Sequence, residues 1–253
     1  MPRILKKLAC LGFALSAVTG LSSCTEEEIT EKPLRWSISF RWSTEPELDL
    51  DSDWAMAIRG AIESNTIAQF LNLEYGYPGW TDLRASAVDL DAHWPHPPLE
   101  GIGTAYFHLI KYETPAGTDA AIVCKDMTLT AKKIGDTYPH PNRDNAKEIL
   151  EAIQVDVGRV PLLPPNKDRY RPVKTPDGPT IPGPPGRSPR PSGNVFSRIV
   201  DVYYPHGNAQ GDRDRNHCLP WAESRWRGTQ PPQPNRPESE PPQIEPFFPG
   251  WQN

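Results

Sequence analysis

TAYFHLIKYETPAGTDAAIVCKDMTLTAKK, residues 104–133, decides the fold. Two runs, TAYFHLIKYET and DAAIVCKDMTLTAKK, flank Pro115, Ala116 and Gly117. Runs rich in β-branched and aromatic residues around such a break read as a β-hairpin. Cys124 falls midway along its second strand. Upstream, LRWSISFRW (34–42) places Leu34, Trp36, Ile38, Phe40 and Trp42 on one side and Arg35, Ser37, Ser39 and Arg41 on the other, the period of a half-buried strand. A helix is predicted from about Asp53 to Leu73, with Trp54, Ala57, Ile58, Ala61, Ile62 and Ala68 at helical spacing. Arg59 and Glu63 are assigned to its outer face, Asn65 falls within its apolar stripe, and Ser52 or Asp51 can cap it. YGYPGW (75–80) ends it. Farther on, NAKEILEAI (145–153) predicts a short helix through Ile149, Leu150 and Ile153, and VFSRIVDVYY (195–204) a strand. The expected class is α+β, a helix packed on a curved antiparallel sheet.

Composition divides the rest of the chain. Its 31 prolines are more than twice the usual share of about 5%. They gather at 161–194, expected to be a semi-rigid linker, and at 229–253, expected to be a tail that is disordered or loosely docked through Phe247, Phe248 and Trp251. The α+β domain then spans 34–160, with 195–228 returning to it as a strand segment.

The first 23 residues carry Arg3, Lys6 and Lys7 ahead of an apolar run from Leu8 to about Gly20, the pattern of a secretory signal. The run is too short to span a bilayer, which takes about 20 apolar residues. It ends in Leu21, Ser22, Ser23 and Cys24. This junction resembles the lipobox of bacterial lipoproteins. The resemblance implies a diacylglycerol on the Cys24 thiol, removal of residues 1–23, and a tether over 24–33 holding the protein on the outer side of the bacterial cell membrane. Two acyl chains hold firmly where one holds marginally, since burial contributes about 0.8 kcal/mol per methylene. An ordinary secretory signal, leaving the thiol free or paired, is the alternative reading.

Loss of residues 1–23 takes those three cations, so 24 Lys+Arg remain against 32 Asp+Glu, a formal charge of −8. Such a balance argues against nucleic acid as a partner. Cys10 leaves with the leader and Cys24 is taken by lipid, so Cys124 and Cys218 remain as an even pair in an oxidising compartment and are expected to form a disulfide. A reactive thiol at Cys124 is the alternative, with no base identifiable beside it.

Residues that carry chemistry are few. Asp89, Asp91, His93 and His96 offer carboxylate and imidazole ligands to a divalent metal, but His93-Trp94-Pro95-His96 and the prolines that follow cannot put both imidazoles on one helix face, and a proline-rigid surface loop is the preferred reading. His108 shares a strand face with Tyr106 and Ile110, which suits a half-buried, hydrogen-bonded histidine. The chain holds no G-x-S-x-G, S-x-x-K or H-E-x-x-H motif and no phosphate-binding glycine loop. No cofactor is implied.

WSTEPELDL, AIES, AIVC and CLPWA, spread over about residues 42–226, are similar to stretches of exported lipoproteins of actinobacteria, a resemblance that brings no activity with it. The helix and curved sheet also invite an analogy with cystatin-like and NTF2-like folds, which host enzymes, binders and scaffolds alike. The expected role is a non-enzymatic interaction or scaffold module that meets another envelope protein. An envelope hydrolase would instead need two acids meeting in a pocket, and a small-ligand carrier an apolar cavity between helix and sheet aromatics.

Overall fold

The alternation in residues 34–42 becomes strand β1 (Trp36–Thr44), whose Trp36, Ile38, Phe40 and Trp42 side chains are buried with helix α1 (Asp53–Phe70). The computed structural model describes residues 34–80, 98–113, 119–145, 149–161, 173–196, 198–205 and 209–252. These belong to one compact unit, Pro33–Asn253. Cys24, the leader and tether, the Pro115–Gly117 turn, and Asp89, Asp91, His93 and His96 lie outside the described residues.

The hairpin strands are β2 (Gly101–Glu113) and β3 (Asp119–Lys132), followed by β4 (Leu150–Pro161), β5 (Arg187–Ser188), β6 (Arg198–Tyr203), helix α2 (Ala209–Trp226) and β7 (Trp251–Gln252). A five-stranded sheet runs β1-β2-β3-β4-β6, and β5 pairs with β7. The class is α+β with a mostly antiparallel curved sheet. One departure from the expectation is that β1 pairs with β2 in parallel, from Trp36 opposite Gly101 to Thr44 opposite Leu109. α1 lies between the two strands in the chain, and a crossover of that length is what a parallel pair requires.

Each face of the sheet carries a helix. Trp36, Ile38, Phe40, Phe107, Val123 and Val155 bury one face against α1. Ile122, Cys124, Leu150 and Ala152 bury the other against Cys218, Ala222 and Trp226 of α2. β3 is therefore buried on both sides, from Ala120 to Met127 without interruption. A bulge between Thr104 and Tyr106 shifts the β2–β3 register. Gly103 just before it has φ +118°, and a Cβ there would meet the Leu129 carbonyl oxygen at 2.2 Å, so glycine is required.

Two further expectations are corrected. The helix predicted at 145–153 does not reach its expected end: Ile149 is helical, but Leu150–Ile153 already belong to β4. Ile149, Leu150 and Ile153 fit a helical stripe, but Ile153, Val155 and Val157 continue as one face of a β-branched strand, and pairing with β3 from Asp126 opposite Leu150 onward satisfies its backbone. The 195–228 segment returns as a strand over β6, which pairs with β4, and Ala209–Trp226 is helix α2. Its buried positions, Asp214, Cys218, Ala222 and Trp226, recur every four residues. They make a single narrow stripe interrupted by Pro220, whose ring removes one helix hydrogen bond.

The proline-rich stretches are part of the packed unit. Asp177 clasps the start of β1: the Trp36 amide donates to its carbonyl at 2.7 Å, and its own amide donates to the Leu34 carbonyl at 2.9 Å. Gly178 lies so close that a Cβ would sit 2.2 Å from the Trp36 carbonyl oxygen. The tail expected to be disordered or loosely docked holds the same edge farther along. The Phe248 amide donates to the Phe40 carbonyl at 3.1 Å and the Trp42 amide to the Phe248 carbonyl at 2.8 Å. Phe247 and Trp251 are buried. The edge of a sheet needs such cover, and burial of two large aromatics offsets the ordering of the tail.

Candidate functional site

α1 is apolar or small nearly all round, with 14 of its 18 residues buried, and a helix of that kind sits inside a core rather than on one. The Ser52 side chain caps it by accepting from the Ala55 amide at 3.3 Å. Arg59 and Glu63, expected on the outer face, are each 1% exposed. Gly250 and Trp251 of the tail bond to Arg59 and Glu63, and Val195 and Phe196 lie against Gly60.

Buried charge survives only if it is paired and hydrogen-bonded. The Glu63 carboxylate accepts from Trp42 Nε1 at 2.7 Å, Tyr77 Oη at 2.5 Å and Trp251 Nε1 at 3.0 Å. Arg59 Nε stands 4.0 Å from it. The Arg59 guanidinium donates to the Leu50 carbonyl at 3.0 Å and the Gly250 carbonyl at 2.7 Å, and lies 4.3 Å over the Trp251 ring. Asp51 is 3.6 Å from Arg59 and takes a two-pronged contact from Arg187, at 3.0 and 2.5 Å. Burial pushes the Glu63 carboxyl up, opposed by Arg59 and the three donors. Burial likewise pulls Arg59 down, opposed first by Glu63 and then by Asp51. Burial and the Glu63 charge hold the Tyr77 phenol well above its ordinary range. The cluster joins β1, α1, the proline segment and the C-terminal tail at one point.

On the opposite face, α2 is fastened by a second polar group and by the expected disulfide. Cys124 and Cys218 are joined, with Cα atoms 5.4 Å apart and both residues fully buried. Asp126, also fully buried, accepts from Trp226 Nε1 at 3.0 Å and Arg225 Nη2 at 3.1 Å. Arg225 stacks on Tyr106, whose hydroxyl donates to Glu245 of the tail. Burial, with Glu245 alongside, pushes the Tyr106 phenol up to about 12. His108 Nδ1 lies 3.0 Å from Ser43 Oγ, and its ring stacks on Trp221. Ser43 Oγ also accepts from Trp221 Nε1 at 3.1 Å and donates to the Phe107 carbonyl at 3.2 Å. The hydroxyl is thus engaged in holding α2 to the strand ends, in keeping with the half-buried histidine that the strand pattern suggested. Burial pulls the imidazole below its ordinary value.

A third buried ion pair, Lys125 with Glu151 at 3.2 Å, bridges directly opposed residues of β3 and β4, and Lys125 Nζ also donates to Gln69 of α1 at 3.0 Å. Beside the edge of β1 lies a cleft of about 140 Å³ between that strand, α1 and residues 176–190. Trp36, Ile38, Phe40, Ile67 and Ile181 form its apolar wall, and Arg190 and Ser39 reach it from the polar side. Among the described residues no group of three or more His, Cys, Asp or Glu side chains is placed to hold a metal, and no helix is long and apolar enough to cross a membrane. Of the residues singled out from the sequence, Cys124 and Cys218 are brought together. Arg59, Glu63 and Arg190 were not singled out as a group, although two charges one turn apart inside AMAIRGAIES point to a helix with an occupied interior.

Comparison with protein-family models, with curated proteins and with solved structures finds no match to this chain.

Proposed function

We propose that the chain is a lipid-anchored protein of the bacterial cell envelope, fixed through Cys24 and exposed on the outer side of the membrane, and that it acts as a non-enzymatic interaction or scaffold module. The basic and apolar leader, the lipobox-like junction and the formal charge of −8 after its removal support the location. Support for the role comes from how the buried charges are used. Of the buried acids that a hydrolase would have to recruit, Glu63, Asp126 and Glu151 each face a cation, and Asp214 accepts from Gln210 one turn before it on α2. A carboxylate pair for general acid and base work needs two acids sharing one site. The single observation that carries the reading is the Arg59–Glu63 cluster, whose hydrogen bonds hold the proline segment and the tail against the domain. The proline-rich surface is thereby held rigid, and a rigid surface binds a partner without a large ordering cost. The packing of α1 on a curved sheet keeps a cystatin-like or NTF2-like shape as an analogy, with the parallel β1–β2 pair as a departure from it.

Crosslinking in the native membrane, followed by mass spectrometry of the captured proteins, tests the role. A reproducible envelope neighbour crosslinked through residues 173–196 or 229–252 is expected. Recovery of the uncrosslinked chain alone, over repeated captures, would count against it.

A further inference from the structure

Arg190 stands apart from the other buried cations. Its Nη2 donates to the Tyr75 carbonyl at 2.9 Å and the Gly76 carbonyl at 3.3 Å, and its guanidinium lies 4.8 Å over the Tyr77 ring. These partners are all neutral. No carboxylate of the described residues forms an ion pair with it, and its Nη1 is buried without a hydrogen-bond partner. The charge of Glu63 favours the guanidinium, but the Glu63 oxygens are already taken by Trp42, Tyr77 and Trp251. A buried guanidinium with a free N–H beside a cleft favours an anion, most of all a carboxylate, whose geometry matches the fork.

The β1 edge adds a second recognition element. Trp36, Phe40 and Trp42 turn their backbone groups outward to Asp177 and Phe248. By the two-residue period of a strand, Ile38 turns its amide and carbonyl toward the same edge, in the gap between the two clamps. Neither group has a backbone partner outside the sheet among the described residues, and Ile38 lines the cleft. Ser39, also at the cleft, has a buried hydroxyl without a partner.

We propose that this cleft binds a small monocarboxylate with an apolar body, its carboxylate paired with the Arg190 guanidinium at the Ile38 gap in the β1 edge and its body against Trp36, Phe40 and Ile181. Size supports the class: a cavity of about 150 Å³ accepts a benzene-sized molecule, and this one is about 140 Å³. Charge narrows it further, because Asp177 in the wall and Glu63 behind Tyr77 disfavour a dianion. The site goes beyond an interaction or scaffold role and does not depend on any protein partner.

The test uses the full chain with its disulfide intact, titrated with benzoate and with its neutral counterpart benzyl alcohol while amide shifts and heat are recorded. Benzoate is expected to bind with a Kd near 1 mM, to move the Ile38 and Arg190 signals, and to outbind benzyl alcohol by about tenfold or more. Arg190→Gln should weaken benzoate about tenfold. Ile181→Trp, which fills the cleft from its cover, should abolish it and serves as the second variant if Arg190→Gln does not fold. Equal binding of acid and alcohol, shifts confined to other surfaces, or no binding at tens of millimolar would each overturn the proposal.

Discussion

Arg59 and Glu63 illustrate how a buried pair sets conditions on single substitutions. Removing one partner leaves the other charge without compensation in a dry interior, which costs about 3 to 5 kcal/mol, whereas removing both can be close to neutral. Arg59→Met is therefore expected to lower stability by that amount near pH 7, and Arg59→Met with Glu63→Gln to recover a substantial part of it, as read from urea unfolding of the single and double variants. The sign of the pH dependence follows from Glu63. Its folded carboxyl is already raised by burial, so its contribution to stability is greatest at low pH and is lost as the pH rises through the folded value. Without Arg59 that rise grows, and the deficit of the single variant should deepen with pH. His108 has the opposite sense. Its folded imidazole is depressed by burial, so the folded state holds the neutral form; stability is intact above the ordinary value of about 6.5 and falls as the pH drops through the folded value. Unfolding curves between about pH 7.5 and 5 should show this loss in the natural protein and a smaller one in His108→Gln.

At the scale of elements, the tail behaves as a structural strand rather than an appendage. Truncation after Glu245 removes the buried Phe247 and Trp251, the carbonyl that accepts from Arg59, and the clamp on the β1 edge. Loss of one buried tryptophan costs about 3 to 5 kcal/mol, so the truncated chain should unfold at much lower urea and be cut readily by protease, whereas a loose tail could be removed without effect. The Cys124–Cys218 link spans a sequence separation of 94, which in the chain-entropy treatment corresponds to about 4 to 5 kcal/mol, and replacing both cysteines by alanine should shift the urea midpoint accordingly. β1 was legible from its alternation, β2, β3 and β6 from runs of β-branched and aromatic residues, and α1 from its spacing and cap, whereas β3 is buried on both faces and carries no alternation. What was not legible depended on contacts far apart in the chain. Leu150–Ile153 fit both periods, and only pairing with β3 selects the strand there. α2 shows four buried residues on one stripe and a proline inside, a pattern weaker than its tertiary anchors. The tail reads as unpacked because proline content reports local backbone preference, while Trp251 finds Glu63 across 188 residues of sequence. Arg59 and Glu63 were placed outside by the rule that charges face water, a rule that fails where two acceptor and donor sets meet inside.

For the whole molecule, fold and location pose separate questions. The packed unit begins at Pro33, so nothing in its core depends on how the chain before it is processed. In the proposed anchoring, membrane attachment runs through Cys24, and the net charge gives no attraction to anionic lipid. Cys24→Ser separates the two. The variant should keep the Cys124–Cys218 disulfide and the urea midpoint of the natural domain, because residue 24 lies outside the packed unit. If the proposed anchor holds, the variant should lack acyl mass and no longer partition with the membrane, because two acyl chains contribute about 0.8 kcal/mol per buried methylene. Mass spectrometry of the natural product and fractionation of the variant check this together. A natural product without acyl mass, or a serine variant that stays with the membrane, would detach the envelope role from Cys24 while leaving the fold as described.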